Sequence, residues 1–488
     1  MATLLLLITT YIATVSAITS YANEFIDPQF LLNSSAWTAQ TPNARESIPP
    51  GADFLTSQGP WAVTNKTILP PSKDLKDYLS WPPYAWPDCS KAGNTTVLTD
   101  QEIWVRCKYV TRDGQFNPDQ HLVNNTGAFS AMSDAIFYNT IAWRLTGFSN
   151  YSASVACLIN TWFIDPATSM NPNLNYAQLL RGPGVQAGQH TGVLDLKCMA
   201  KIASAVLTLR LGASPEWTAQ IDQGFTQWVR QYIVWMTNST LAYQERTTVN
   251  NHGSFFHNQL ASLYLIVNDT TNARNTVQEF FSSLYQNQID ANGEQVNALP
   301  FPCIFLPPLE ASRTRPFHYR AYNLAAVITN AKIGQYVGFN AWNLTTKQGG
   351  TIQKATDYAM TKNASTSGEP GAAPELFPVV AAVAAVYGDP SGKYKQYLEK
   401  CVMVTWASLP SDDDLLYPVG LSARPRMNRS SFGTNLGGKI RRVRLGWGPC
   451  IHCAEMNFHC KTGKGIWSKC QRLYRHQYPI PLLAEEGD

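Results

Sequence analysis

Charge is scarce in this chain. Only 15% of its 488 residues are charged, and 38 basic against 34 acidic side chains leave a formal net charge of +4. So small an excess gives no electrostatic footprint for nucleic acid, although it is compatible with an anionic substrate. Beyond the N-terminus no apolar run reaches about 18 residues, so no membrane-spanning helix is expected. The glycine-rich nucleotide loop, the zinc-protease helix and the nucleophile elbow are all missing, which removes the chemistries those motifs carry. Sustained period-two alternation is missing as well, and with it the case for a large sheet.

Apolar and aromatic side chains, by contrast, are plentiful. The chain is 44% hydrophobic, with 14 Trp, 22 Tyr and 20 Phe, ample for a large core in one or two domains. Trp217, Ile221, Phe225, Trp228, Tyr232 and Trp235 fall at steps of three and four behind Ser214-Pro215, which reads as an N-cap and first-turn proline. Cys198, Met199, Ile202, Val206 and Leu209 repeat the pattern, with Gly212 as a natural stop. Val277, Phe280, Phe281 and Leu284 predict another helix, and Leu324, Val327, Ile328 and Ala331 one more. Successive helical hairpins with aromatic inner faces predict an all-α fold, an incomplete (α/α) barrel or toroid; a helical solenoid satisfies the same pattern.

The first seventeen residues read as a secretory signal, apolar from Leu4 to Thr14 with a small-residue cleavage site at Val15-Ser16-Ala17. Sequons at Asn33, Asn65, Asn94, Asn124, Asn150, Asn238, Asn268, Asn343, Asn363 and Asn428 fit an extracellular glycoprotein. The ten cysteines fit disulfides, with Cys89–Cys107 and Cys157–Cys198 as plausible pairs. The expected organisation is a signal at 1–17, a helical domain at 18–409 and an irregular tail at 410–488. That tail lacks apolar periodicity and crowds Cys450, Cys453, Cys460 and Cys470; it is expected to be mobile or artefactual and to take no part in catalysis.

The chemistry concentrates in two places. Asn250-Asn251-His252-Gly253-Ser254 opens a helix, where amides and free backbone N–H groups suit a carboxylate; a plain asparagine cap with a satisfied histidine is an equal reading. Arg313-Thr-Arg315-Pro-Phe-His318-Tyr319 brings cations to the mouth of a second helix, Arg being well suited to bind a carboxylate with two bonds. Glu216, Glu245 and Glu310 are possible acids for a glycoside hydrolase, though isolated carboxylates are usually surface groups.

These blocks resemble the alginate lyase superfamily, in particular the helical lyases that include glucuronan lyases. The resemblance rests on Asp77-Tyr-Leu-Ser80, Pro83-Tyr84-Ala-Trp86-Pro87-Asp88, Arg112-Asp-Gly114 with Asn117-Pro118, Thr161-Trp162-Phe-Ile-Asp165-Pro166 and Met170-Asn-Pro-Asn173-Leu-Asn175-Tyr176-Ala-Gln178, then the two site motifs in the same order. It implies a toroid with a cleft for an anionic polysaccharide, cut by β-elimination by a monomer without metal or cofactor. It further implies that Asn251, His252, Arg313 and Tyr319 are catalytic. Asn251 and Arg313 would stabilise charge building on the uronate carboxylate. Tyr319 would serve as base and acid, its phenolate favoured by Arg313 or Arg315, with His252 as the rival base. Tyr84, Trp86, Asn173, Asn175, Tyr176, Gln178, Asn250, Arg315 and His318 are the substrate-binding candidates; for the loop residues among them, simple packing is the competing reading. The chain departs from the family in an apolar insert at 296–307, just before Arg313, and in its tail. Displacement of Arg313 by that insert would leave a carbohydrate-binding protein without activity.

Overall fold

Two kinds of helix build the fold, and their burial separates them. A helix that is apolar on all sides must be surrounded by protein, whereas one with a single apolar stripe lies on the outside. In the computed structural model, which describes residues 25–33, 42–93, 97–184, 186–296 and 310–404, the first short helix α1 (Pro28–Leu32) leads into α2 (Pro42–Gln58). Four later helices are buried almost all round: α4 (Asn125–Thr146), α6 (Met199–Leu211), α9 (Asn251–Ile266) and α11 (Pro316–Tyr336). In α6 every residue from Met199 to Leu209 is buried. They pack in sequence, α4 on α6, α6 on α9 and α9 on α11. Outside them lie α5 (Ser149–Ile159), α7 (Ala219–Asn238), α10 (Thr270–Ser282) and α12 (Ile352–Met360), whereas α13 (Phe377–Tyr387), buried from Phe377 to Ala384, packs against α11 and α12. The short α8 (Thr240–Arg246) connects α7 to α9, and α14 (Lys393–Val404) follows α13. This inner and outer arrangement is the expected (α/α) toroid rather than a solenoid of equivalent repeats.

Apolar burial forms two principal clusters. One joins α2, α4, α5, α6 and α7 through residues such as Phe129, Trp162, Phe225 and Tyr232. The other joins α9 through α13 around Phe280, Phe281, Leu324 and Val380. The segment Pro370–Tyr387 is long and apolar enough to pass for a membrane span, with a mean hydropathy of 1.3, yet its Val379, Val380, Ala382 and Val383 are core residues of the second cluster.

The sequence reading needs four corrections. Ser214-Pro215 precedes α7 but does not cap it; Thr218 does, accepting from the Ile221 N–H. Leu284 lies past the end of α10. The loop-rich N-terminal region holds a small antiparallel hairpin, β1 (Ala85–Asp88) with β2 (Lys108–Thr111), joined through α3 (Asp100–Arg106) and closed by the expected Cys89–Cys107 disulfide. Four-residue strands are too short to declare themselves by alternation. Finally, Cys157–Cys198 is not found as a disulfide among the described residues. The signal segment, most of the 296–307 insert and the tail beyond 409 lie outside the described residues.

Helix α11 starts with an arginine at its N-cap position and a proline, neither of which caps a backbone N–H. The Glu369 carboxylate does this from outside, accepting from the Phe317 and His318 N–H groups at 2.8 and 3.1 Å, where the helix dipole also favours negative charge. Replacing Glu369 with Ala should therefore destabilise the fold by about 2–3 kcal/mol, and Glu369→Gln by less, since its amide oxygen keeps one acceptor. Urea unfolding of both variants measures the difference.

Candidate active site

The N-termini of α9 and α11 carry the two motifs, and the geometry joins them. Asn250 caps α9 by accepting the His252 N–H at 3.1 Å. The chain then turns so tightly that a Cβ on Gly253 would lie 2.0 Å from the Thr248 carbonyl oxygen, which explains why glycine follows His252. Asn251 is 1% exposed. Its amide is close enough to the Glu310 carboxyl to favour the ionised form of that group, yet neither end of the amide reaches good hydrogen-bond geometry with any protein group. A buried amide with unused bonding capacity is a candidate ligand for substrate.

Just before α11 the Arg313 guanidinium lies over the Tyr319 ring, 3.9 Å from its centroid. Asp113, from the loop after β2, holds the same guanidinium at 3.1 Å and accepts from the Thr314 hydroxyl at 3.0 Å. Gly114 sits beside them at φ 75°, and a Cβ there would meet the Thr314 hydroxyl at 2.5 Å. The segment on either side of the insert is anchored to the site. Glu294 pairs with Arg320 through two bonds of 2.9 Å, and Gln295 bonds Asn323 and the Arg320 carbonyl. Glu310 comes back beside Asn251. The insert therefore does not pull Arg313 away from Tyr319.

Tyr319 is buried, with the Tyr84 hydroxyl close to its own. Its pKa is raised well above the ordinary phenol value, first by burial and then by Tyr84, while Arg313 opposes. The expectation of a ready phenolate is thus corrected: in the resting site Tyr319 is a protonated phenol. Arg315 does not assist it either, because it turns toward Glu369 at 3.7 Å and Glu375 at 4.0 Å. His318 bonds Glu375 at 2.6 Å and stacks on Tyr322. Both are tied to carboxylates that hold the start of α11, a contact the motif alone did not reveal.

His252 makes the least expected contact. Its Nδ1 lies 2.6 Å from Glu245 Oε1, and His190 Nδ1 lies 2.7 Å from Oε2 of the same carboxylate. Glu245 is fully buried. Burial works to raise its pKa, but the two imidazoles prevail and hold it low. Such a group is a structural anion, which removes Glu245 as a hydrolytic acid. Glu216 is likewise engaged, by the Ser152 and Ser214 hydroxyls.

Of the other binding candidates, Tyr84 reaches the site through Tyr319. Trp86 stands on β1, half-buried, with Arg112 over its ring at 5.3 Å. Asn173 accepts from the Asn175 N–H, Asn175 accepts from the Trp235 indole at 2.9 Å, and Tyr176 packs beside Leu79 and Trp81. Gln178, at φ 46°, spends its side chain on Asp195 and Thr191. This loop is packed against the body in the way the competing reading holds, and Gln178 braces the turn that carries His190. Sequence reasoning missed His190 and Asp113 as site residues; Asp113 stood in a recognised block, whereas His190 carried no signal.

Burial raises the Glu310 pKa to about 7, against the pull of Arg313 and Asn251. A carboxyl whose folded pKa exceeds its unfolded value contributes stability below the unfolded value and loses it as pH rises through the folded one. Stability should therefore fall on the order of 3 kcal/mol between pH 4.5 and about 7 on account of this group. Glu310→Gln should flatten that decline, as denaturant titrations across the window will measure.

An alginate lyase from Bacteroides ovatus, known from its crystal structure, is similar to this chain with a TM-score of 0.64 and 25% identity, over 76% of this chain and 92% of that one. Alginate lyase A1-III from Sphingomonas species A1 is more distant, at 14% identity and a TM-score of 0.41, over 70% of this chain and 87% of that one. No curated protein matches. Residues 62–368, which hold both motifs, Asp113 and the shared Glu245, match the alginate lyase family, and the chain belongs to that family.

Proposed function

We propose that this polysaccharide lyase cleaves a β-linked polyuronate, either mannuronate-rich alginate or glucuronan, and leaves 4,5-unsaturated uronate ends. The observation that carries the reading is the convergence of Asn251, Arg313 and Tyr319, with a buried amide that has bonding capacity to spare. The C5 proton of a uronate is a very weak acid, and its removal requires stabilisation of the charge that builds on the C6 carboxylate. Asn251 can donate to that carboxylate, and Arg313 keeps most of its fork free beyond the bond to Asp113. Tyr319 is equipped to protonate the leaving O4.

A second version of the mechanism is favoured by one feature. Because Tyr319 rests as a phenol and Glu245 takes the Nδ1 side of His252, the site holds a proton donor and a separate acceptor, His252 Nε2. That pair suits a sugar whose C5 hydrogen and O4 lie on opposite faces, as in guluronate, and not the two polymers named above, in which they share a face. Elimination by Tyr319 alone, on one face, requires substrate to displace Tyr84 and bring the phenol to ionisation.

Secretion belongs to the same reading. Among the described sequons, Asn33, Asn65, Asn124, Asn150, Asn238, Asn268, Asn343 and Asn363 are all exposed. Asparagines outside sequons are often buried, as Asn117, Asn139, Asn258 and Asn330 are. Glycan attachment requires an accessible amide, and the Cys89–Cys107 disulfide suits an oxidising compartment.

Three experiments test these proposals. Purified protein incubated with mannuronate-rich alginate, guluronate-rich alginate and glucuronan should give ultraviolet absorbance from a new C4=C5 bond with at least one polymer; reducing ends without absorbance would mean hydrolysis instead. Tyr319→Phe should lose roughly 10²–10⁴-fold in rate while still binding polymer, because only the proton-carrying hydroxyl is gone. Protein made through a eukaryotic secretory host should appear in the medium and shift in mass on treatment with peptide N-glycosidase at the exposed sequons. Retention inside the cell would count against secretion, and secreted protein with unmodified asparagines would count against glycosylation.

A further inference from the structure

His190 and His252 lie on opposite sides of one carboxylate. Glu245 Oε2 takes the His190 Nδ1 at 2.7 Å and Oε1 takes the His252 Nδ1 at 2.6 Å, with the ring centroids 6.4 Å apart. A single negative charge in a fully buried place balances one imidazolium. A second proton would leave uncompensated positive charge in a site of low polarisability, so the carboxylate supports at most one charged ring. Exposure decides which. The His190 side chain is 36% exposed and that of His252 20%, so water supports the charged form better at His190.

We propose that His190 is a positioning residue for the elimination: it neutralises the shared Glu245 and so keeps His252 uncharged, with its Nε2 lone pair available to the C5 proton of substrate. This rests on the lyase reading with His252 as base. The direction of the His190 titration agrees, being raised by its bond to Glu245 and held back by partial burial.

Other ionisable groups around the pair have partners of their own. On the turn that carries His190, Asp195 is bonded by Ser80 and Gln178, and Lys197 acts on Asp195. On α8, Arg246 is held by Glu279, and Tyr243 is exposed. On α9, His257 bonds the Gly253 carbonyl and lies 3.7 Å from Glu279. Asp134 of α4 is paired with Lys201 at 2.7 Å, and Glu310 lies by Asn251 and Arg313. Glu245 is thus the charge the two imidazoles share.

The test is an NMR titration of the histidine ring protons in the intact protein, joined to a pH profile. In the unmodified protein His190 should titrate at higher pH than His252, and the reverse order would overturn the proposal. His190→Gln keeps an N–H donor for Glu245 but no charge. In that variant the His252 titration should rise by about one pH unit. The acidic limb of kcat/KM should move with it, so that activity below the limb falls roughly tenfold, while the alkaline plateau and KM stay as they were. His190→Lys, which restores a cation, should return the limb toward its original position. An unmoved His252 titration in folded His190→Gln, or a loss of rate equal at all pH values, would show a merely structural contact and end the proposal. A shifted titration in protein that forms no double bonds on any polyuronate would instead leave the coupling standing and remove the lyase chemistry it was meant to serve.

Discussion

The constraint on which everything else depends is that α9 and α11 are buried along nearly their whole length. A helix surrounded by protein can offer polar side chains to a substrate only at its ends, and its first-turn N–H groups must find acceptors there. Both helices begin in the same region, and both solve the problem with carboxylates brought from elsewhere in the chain. Glu369 caps α11 from outside. Glu310 approaches the start of α9, where Asn250 has already taken one N–H. The catalytic candidates are the residues left over once that capping is complete.

Carboxylates outside the obvious motifs therefore set the state of the groups inside them. Asp113 fixes Arg313 over Tyr319, Glu375 holds His318, and Glu245 is divided between two imidazoles. Each of these acids sets the orientation or the electrostatic surroundings of a neighbouring motif residue. The result is a site rich in cations and amides that is nevertheless close to electrically balanced before substrate arrives. On the proposed reading, an incoming uronate would be met by a few donors with bonding capacity to spare, above all the Asn251 amide, rather than by a diffuse positive field.

The same balance explains why Tyr319 rests as a phenol. Burial and Tyr84 act on Tyr319 more strongly than the guanidinium stacked on its face. Cation and ring are close, but the field of Arg313 is shared with Asp113 and Glu310. Proximity of an arginine to a tyrosine in the sequence said nothing about that division.

The sequence by itself determined the helical class and the principal motif residues. Apolar residues at steps of three and four specify helices because side chains three and four apart share a face, and that relation is local. Asn251, His252, Arg313 and Tyr319 were legible because two short motifs hold them at fixed spacing. The tertiary structure alone decided which helices lie inside and that a hairpin of two four-residue strands, followed by Asp113, lies next to the site. It also decided that Gln178 and Asn175 brace a loop, that Arg315 faces Glu369 and Glu375, and that His190 joins His252 across Glu245. Those outcomes depend on contacts between residues from seven to two hundred positions apart, and the side chains that make them carry no periodicity or spacing that a linear reading can detect.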